Sequence, residues 1–129
     1  MCEKFGSLKV NVISFGYKFG LADNPNLLFD VRCLENPFYV EELRELSGLN
    51  KEVSDYVMQF DSSKILAENI IALIKTALKL YIEKGAEQFT VAIGCTGGKH
   101  RSVTFAELIF KELLDSGYNV FINHRDINK

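Results

Sequence analysis

Apolar and polar residues alternate along Leu8 to Ser14 (LKVNVIS), the pattern of a strand with one covered face. Phe89 to Ile93 (FTVAI) is continuously apolar and rich in β-branched residues, as a central buried strand requires. Two further short runs, Leu27 to Val31 after a Pro-Asn turn and Asn119 to Asn123, also read as strands. Between them the period changes to that of a helix. Leu66, Ile70, Leu73, Ala77 and Tyr81 recur at helical spacing and predict a long amphipathic helix from about Lys64 to Lys84, stopped at Gly85. Shorter helices are expected over Val40 to Leu46, ending at Gly48 as a C′ glycine, and over Lys51 to Phe60, capped by Asn50. A last helix is expected from about Arg101 to Ser116, stopped by Gly117.

Strands that alternate with helices predict an α/β fold, a three-layer sandwich around a mainly parallel sheet of about four strands. Parallel neighbours need crossovers, and the long helix supplies one. The connection from Phe15 to Asn26 is short and glycine-rich, and the pattern leaves open whether it holds a full helix. No repeat, linker or low-complexity segment divides the chain, so one domain over residues 1–129 is expected.

Composition narrows the function. Hydrophobic residues make up 47% of the 129 and the net charge is −2, which fits a folded domain and opposes broad electrostatic adhesion to nucleic acid or anionic membrane. A local basic patch stays compatible with that balance. Cys2, Cys33 and Cys95 are odd in number and irregular in spacing, so neither a disulfide framework nor a zinc knuckle is expected; Cys2 and Cys33 read as free thiols in a reducing compartment. With His100 and His124 as the histidines, no metal site is expected. The first residues, MCEKFGSLKV, lack the apolar stretch of a signal peptide. Glu68, Asn69, Lys75 and Lys79 interrupt the long helix, which excludes it as a membrane span.

The chemistry gathers after the strands. If these are parallel, the segments that follow them share one carboxyl edge, where open α/β sheets bind ligands. That edge would collect Lys18, Asp30, Arg32, Asn36, Thr96, Lys99, His100, Arg101, Ser102, His124, Arg125 and Asp126. The most specific stretch is AIGCTGGKHRS, Ala92 to Ser102. Gly94, Gly97 and Gly98 allow close backbone approach to a ligand, and a helix N-terminus beginning near Lys99 or His100 offers free amides to an anion. Lys99, His100 and Arg101 add charge, Ser102 a hydroxyl, and a guanidinium there would grip phosphate bidentately. The stretch misses a Walker A loop by one residue and has no Gly-x-Gly-x-x-Gly. It does match Cys-x5-Arg-Ser, the loop of cysteine-dependent phosphatases, with Cys95 as nucleophile and Asp30 or Asp126 as acid. Gly94 stands where tyrosine phosphatases usually carry histidine.

Taken together, SFGYKFG, FDVRCLENPFY, LSGLN, VAIGCTGGKHRS and HRD resemble, in order, segments of the C-terminal domain of the RapZ family, the RNase adapter proteins. The resemblance spans about Val12 to Lys129. It implies a cytoplasmic bacterial protein without a cofactor, whose domain binds an amino-sugar phosphate, glucosamine-6-phosphate, and RNA, and so regulates amino-sugar synthesis. The sugar-phosphate pocket it implies falls on Asp30, Cys95, Thr96, Gly97, Gly98, His100 and Arg101; the RNA positions it implies fall on Lys18, Arg32 and Arg125. Three departures bear on this. The family's N-terminal domain with its Walker motifs is not in this sequence, so nucleotide hydrolysis is not expected of it. Phe38 stands where some members have histidine, and the chain stops at HRDINK where members can carry a basic tail, so RNA binding is expected to be weak and salt-sensitive. The chain could be a free-standing homologue or an excised domain, with Met1 weakly favouring the former, and self-association is left open. The reading with most support is a non-enzymatic module that binds an amino-sugar phosphate or a related nucleotide-sugar; a phosphatase and an RNA adapter are the competing readings.

Overall fold

The computed structural model describes residues 8–129; Cys2 lies outside them. Four strands form one sheet: β1 (Lys9–Gly16), β2 (Leu27–Asp30), β3 (Gln88–Cys95) and β4 (Asn119–His124). Their order is β2-β3-β1-β4, and every pairing is parallel. The expected α/β fold is present, with a wholly parallel sheet. Three α-helices accompany it: α1 (Lys51–Met58), α2 (Asp61–Glu83) and α3 (Arg101–Asp115).

Alternation along each strand separates the two faces. Val10, Val12, Phe89, Val91, Ile93 and Val120 turn to the helices and pack with Ile70, Ile74 and Leu78 of α2 and Phe105, Ile109 and Leu113 of α3. The layers are unequal. Among the described residues, the opposite face is covered mainly at its carboxyl end, where Phe15 and Ala92 pack against Tyr17 and Ala22 of the connection between β1 and β2. That connection contains one 3-10 turn, Tyr17–Phe19, which settles the question the glycines left open.

Three sequence expectations need correction. Val40 to Leu46 is not an α-helix; 3-10 turns stand at Pro37–Tyr39 and Glu41–Leu43. Asn36 accepts a hydrogen bond from the Phe38 amide, which starts the chain in a tight turn, and of Glu41–Leu43 only Leu43 is buried, too small an apolar face to sustain an α-helix. Gly48 is therefore not a C′ glycine. Its amide donates to the Lys99 carbonyl (2.8 Å), and a Cβ there would stand 2.6 Å from both the His100 carbonyl oxygen and the Thr104 nitrogen, so it is the close approach to α3 that requires glycine. Asn50 precedes α1, but its side chain accepts from the Ser47 amide instead of capping the helix.

The stripe on α2 is also rotated. Ser63, Ala67, Ile70, Ile74 and Leu78 are buried, whereas Leu73 and Tyr81, expected inside, are 49% and 39% exposed. Apolar residues occur all round this helix, so periodicity alone did not fix its phase. Gly85 and Gly117 have φ of 77° and 97° and end α2 and α3 as expected.

Connectivity places the site. β1 leads outward past β3 to β2, whereas β3 leads past β1 to β4. The chain thus leaves the two central strands in opposite directions, and the crevice between their carboxyl ends is a topological switch point.

Candidate functional site

At that crevice the β3–α3 loop is fitted tightly against the end of β1. Gly16 pairs with Cys95, and a Cβ on Gly16 would lie 2.4 Å from the Gly97 carbonyl carbon. Gly98 has φ +74°, and a Cβ on it would lie 2.6 Å from the Gly16 nitrogen. Both strain and crowding therefore require glycine at position 98. Gly97 differs: a Cβ there would meet nothing within 4 Å.

Asp126, just beyond β4, holds this junction. It is 1% exposed, and its carboxylate accepts from the Gly16 amide (2.8 Å), from Arg125 (2.8 Å) and from Lys129 (2.9 Å). Burial alone would raise its pKa; the hydrogen bonds from Arg125, Gly16 and Lys129 outweigh that and hold it at about 2. Asp126 is thus an ionised buttress.

Beside the loop lies a cavity of about 420 Å³, lined by Lys18, Asn36, Phe38, Tyr39, Arg44, Glu45, Cys95, Thr96, Gly97, Lys99, His100, Arg101 and Lys129. Lys18, Arg44, Lys99, Arg101 and Lys129 face a single lining carboxylate, Glu45. A local basic basin therefore sits in a chain of net charge −2. No acceptor among the described residues takes the amide hydrogens of Gly97, Gly98 or Lys99.

Arg101 opens α3 and is 5% exposed. One terminal nitrogen donates to the carbonyls of Arg32 (2.6 Å) and Leu34 (3.1 Å), and the other to Thr96 Oγ1 (3.4 Å). It is a strut that ties the loop after β2 to the loop after β3. Its Nε is buried and unpartnered. His100, 7% exposed, also has a buried, unpartnered Nε2. Burial pushes the His100 pKa below the usual histidine value, opposed by backbone groups of Leu46, Arg44 and Leu43, so the ring is neutral at pH 7. Buried nitrogens left without a partner are costly, and a ligand is one way to satisfy them.

Other expected site residues are placed differently. Cys95 reaches the cavity floor but is 2% exposed and packed into the main core; its thiol donates to Ser102 Oγ at 3.2 Å. Ser102 is fully buried, and Gly98 is packed against β1; neither lines the cavity. Asp30 is also outside it, paired with Arg32 at 2.7 Å, and the Arg32 hydrogen bonds hold its pKa below the ordinary carboxylate value. Arg32 stacks on Tyr17 with 3.8 Å between guanidinium and ring centroid. Arg125 donates to the Gly20 and Leu21 carbonyls as well as to Asp126. Of the three basic positions assigned to RNA by resemblance, Lys18 alone lines the cavity. His124 bridges Ser14 and Glu107 on the helical side, at 2.7 Å to each.

Sequence reasoning missed Tyr39, Arg44, Glu45 and Lys129. Arg44 and Glu45 were absorbed into the polar face of the helix expected over Val40 to Leu46. Arg44 in fact crosses Phe38, its Nε donating to the Phe38 carbonyl at 2.9 Å and its guanidinium 5.0 Å from the ring. Among the described residues no group of three His, Cys, Asp or Glu could hold a metal ion, and no described helix is long and apolar enough to cross a membrane.

Fold and crevice together define an open parallel α/β domain with a basic cavity at its switch point. The chain belongs to the RapZ C-terminal domain family, whose model matches residues 8–128. Relatives include a nucleotide-binding protein of Thermoanaerobacter sp. (strain X514), 44% identical over 127 residues, covering 98% of this chain and 45% of that protein. A nucleotide-binding protein of Clostridium acetobutylicum is 48% identical over 122 residues, 95% of this chain and 42% of that protein. Another, of Lawsonia intracellularis, is 47% identical over 123 residues, 95% of this chain and 38% of that protein. The chain therefore spans less than half the length of these curated relatives.

Proposed function

We propose that the chain is a non-enzymatic binding module for a phosphorylated amino sugar of the glucosamine-6-phosphate kind, or a related nucleotide-sugar, acting as a cytoplasmic regulator. One observation carries this reading. One cavity gathers the side chains of Lys18, Arg44 and Lys99 beside a loop whose Gly97 and Lys99 amides find no acceptor among the described residues. A phosphate would accept from these groups, and Asn36 and Glu45 offer polar partners to an amino sugar. The names of the relatives support a phosphorylated ligand at this coarser level. Titration calorimetry with inorganic phosphate, glucosamine-6-phosphate, a uridine-diphosphate amino sugar and ATP tests it. The sugar phosphate or nucleotide-sugar should bind most tightly, and Lys99→Ala and Arg44→Ala should each weaken it. At a hundredfold excess over Kd it should add about 2.7 kcal/mol of stability. No binding by any of the four ligands would refute the reading.

The Cys95–Ser102 contact favours a competing phosphatase reading, since a hydroxyl beside the sulfur suits thiolate chemistry. Three features oppose it: the sulfur is packed in the core, Arg101 already holds two carbonyls, and both Asp30 and Asp126 are ionised, so neither holds a proton for a leaving group. Turnover of an aryl phosphate on the order of 1 s⁻¹, abolished by Cys95→Ser, would decide for the enzyme. RNA contact through Lys18, Arg32 and Arg125 is proposed as weak, because two of these three are engaged with carboxylates. Affinity that persisted at high salt would contradict this.

A further inference from the structure

A second cleft, of about 500 Å³, adjoins the cavity. The two share Glu45, Lys99 and Lys129, so these side chains form a common rim. Beyond the rim the cleft is lined by Leu46, Ser47, Leu49, Asn50, Ile127 and Asn128, none of them charged in its side chain. Leu49 is 58% exposed, Leu46 and Ile127 are half-buried, and Asn50 and Asn128 are exposed. The cleft thus mixes apolar surface with amides, whereas the cavity across the rim is basic.

Both segments that line the cleft are anchored to the site. The turn from Leu46 to Asn50 is held by the Gly48 amide, which donates to the Lys99 carbonyl at 2.8 Å. Within that turn Asn50 Oδ1 accepts from the Ser47 amide, and Ser47 Oγ from the Leu49 amide. The segment from Ile127 to Lys129 follows Asp126, whose carbonyl accepts from the Lys129 amide and whose carboxylate accepts from the Gly16 amide. The contacts that set the glycine loop therefore also set the cleft. At the rim, an ammonium group has three hydrogens. Lys129 places one on Asp126 at 2.9 Å, and Lys99 has no carboxylate partner among the described residues, so both have hydrogens to give an anion. Glu45 at the same rim suits sugar hydroxyls, and the two cations outnumber it.

Two lobes joined at a cationic rim match a ligand of the same form: a sugar in the basic cavity, an anionic link at the rim, and an uncharged group with flat apolar faces in the cleft. A sugar monophosphate fills the first lobe and leaves the second empty. Building on the phosphate-binding reading above, we propose that the cleft is a nucleoside subsite, so that the ligand class is a nucleoside-diphosphate sugar whose diphosphate lies between Lys99 and Lys129. Leu46, Leu49 and Ile127 cover the faces of the base and ribose. Asn50 and Asn128 meet the polar edges, since a side-chain amide both donates and accepts.

The test is titration calorimetry of the full chain with uridine-diphosphate N-acetylglucosamine, N-acetylglucosamine 1-phosphate and glucosamine-6-phosphate. The nucleotide-sugar should bind at least about tenfold more tightly than either monophosphate, because it alone buries the apolar lining of the cleft. Leu49→Ala and Asn128→Ala change exposed side chains that do not line the basic cavity. Together they should weaken the nucleotide-sugar on the order of tenfold and leave both monophosphates unchanged. Circular dichroism checks that the double variant is folded. A nucleotide-sugar that binds no more tightly than the monophosphates, or whose affinity ignores the double variant, would overturn the subsite and leave the binding module standing. If none of the three binds, both fall.

Discussion

Replacing Asp126 by Asn tests the junction that shapes the cavity. The buried carboxylate joins three segments: the end of β1 through the Gly16 amide, the chain after β4 through Arg125, and the C-terminal turn through Lys129. Folding lowers its pKa from 3.8 to about 2. At about 1.4 kcal/mol per pH unit, this corresponds to roughly 2 kcal/mol of stability carried by the ionised form. Because the folded value is the depressed one, the contribution is complete above the unfolded pKa. It is lost as pH falls from about 4 towards 2. Asparagine keeps an acceptor for Gly16 but leaves Arg125 and Lys129 without their anion. Urea unfolding at pH 7 should show a loss of roughly 2 kcal/mol, a midpoint shift on the order of 1 M. The wild type should also lose stability more steeply than the variant between about pH 4 and pH 2. A loss under about 0.5 kcal/mol at pH 7, with parallel acid profiles, would show that the buttress is not holding the loop.

Gly98→Ala should destabilise the fold by several kcal/mol or prevent folding, since it adds a Cβ 2.6 Å from the Gly16 nitrogen at φ +74°. Gly97→Ala should fold normally and yet weaken phosphate binding, because its Cβ meets no protein atom within 4 Å; equal thermal melts with unequal calorimetric affinities would confirm the contrast. Ligand binding at neutral pH should take up a proton at His100, whose pKa burial depresses and a nearby phosphate would raise. Calorimetry in two buffers of different ionisation enthalpy measures this uptake, and His100→Gln should abolish it.

What the sequence shows and what it conceals divide along a physical line. The strands were legible because β-branched runs such as Phe89 to Ile93 have no alternative in water but burial. Gly85 and Gly117 were legible as helix stops because a positive φ is a local demand. The phase of α2 was not, since Leu66, Ile71, Leu73 and Leu80 offer the helix an apolar surface outside its true buried stripe. The glycine loop was recognisable as an anion site, but Arg101 was not recognisable as a strut, because its acceptors are carbonyls at Arg32 and Leu34, far away in sequence. Asp126 read as a candidate acid for the same reason: its three donors meet only in the folded chain.

These long-range bonds bear on how the cavity would discriminate between ligands. Arg101, Gly16, Gly98 and Asp126 fix the floor and wall by buried hydrogen bonds and close packing, with no freedom to follow a ligand. Lys18 and Lys99 carry their charges on flexible chains with no carboxylate partner among the described residues. Lys129 is held by Asp126. Attraction towards any phosphate thus comes from mobile side chains and is screened by salt. Shape selection comes from the rigid loop, whose amides are set before the ligand arrives. Raising ionic strength should therefore weaken all phosphorylated ligands together, whereas Gly97→Ala should change their ranking. If salt reordered the ligands instead, the charges and not the loop would be the selective element.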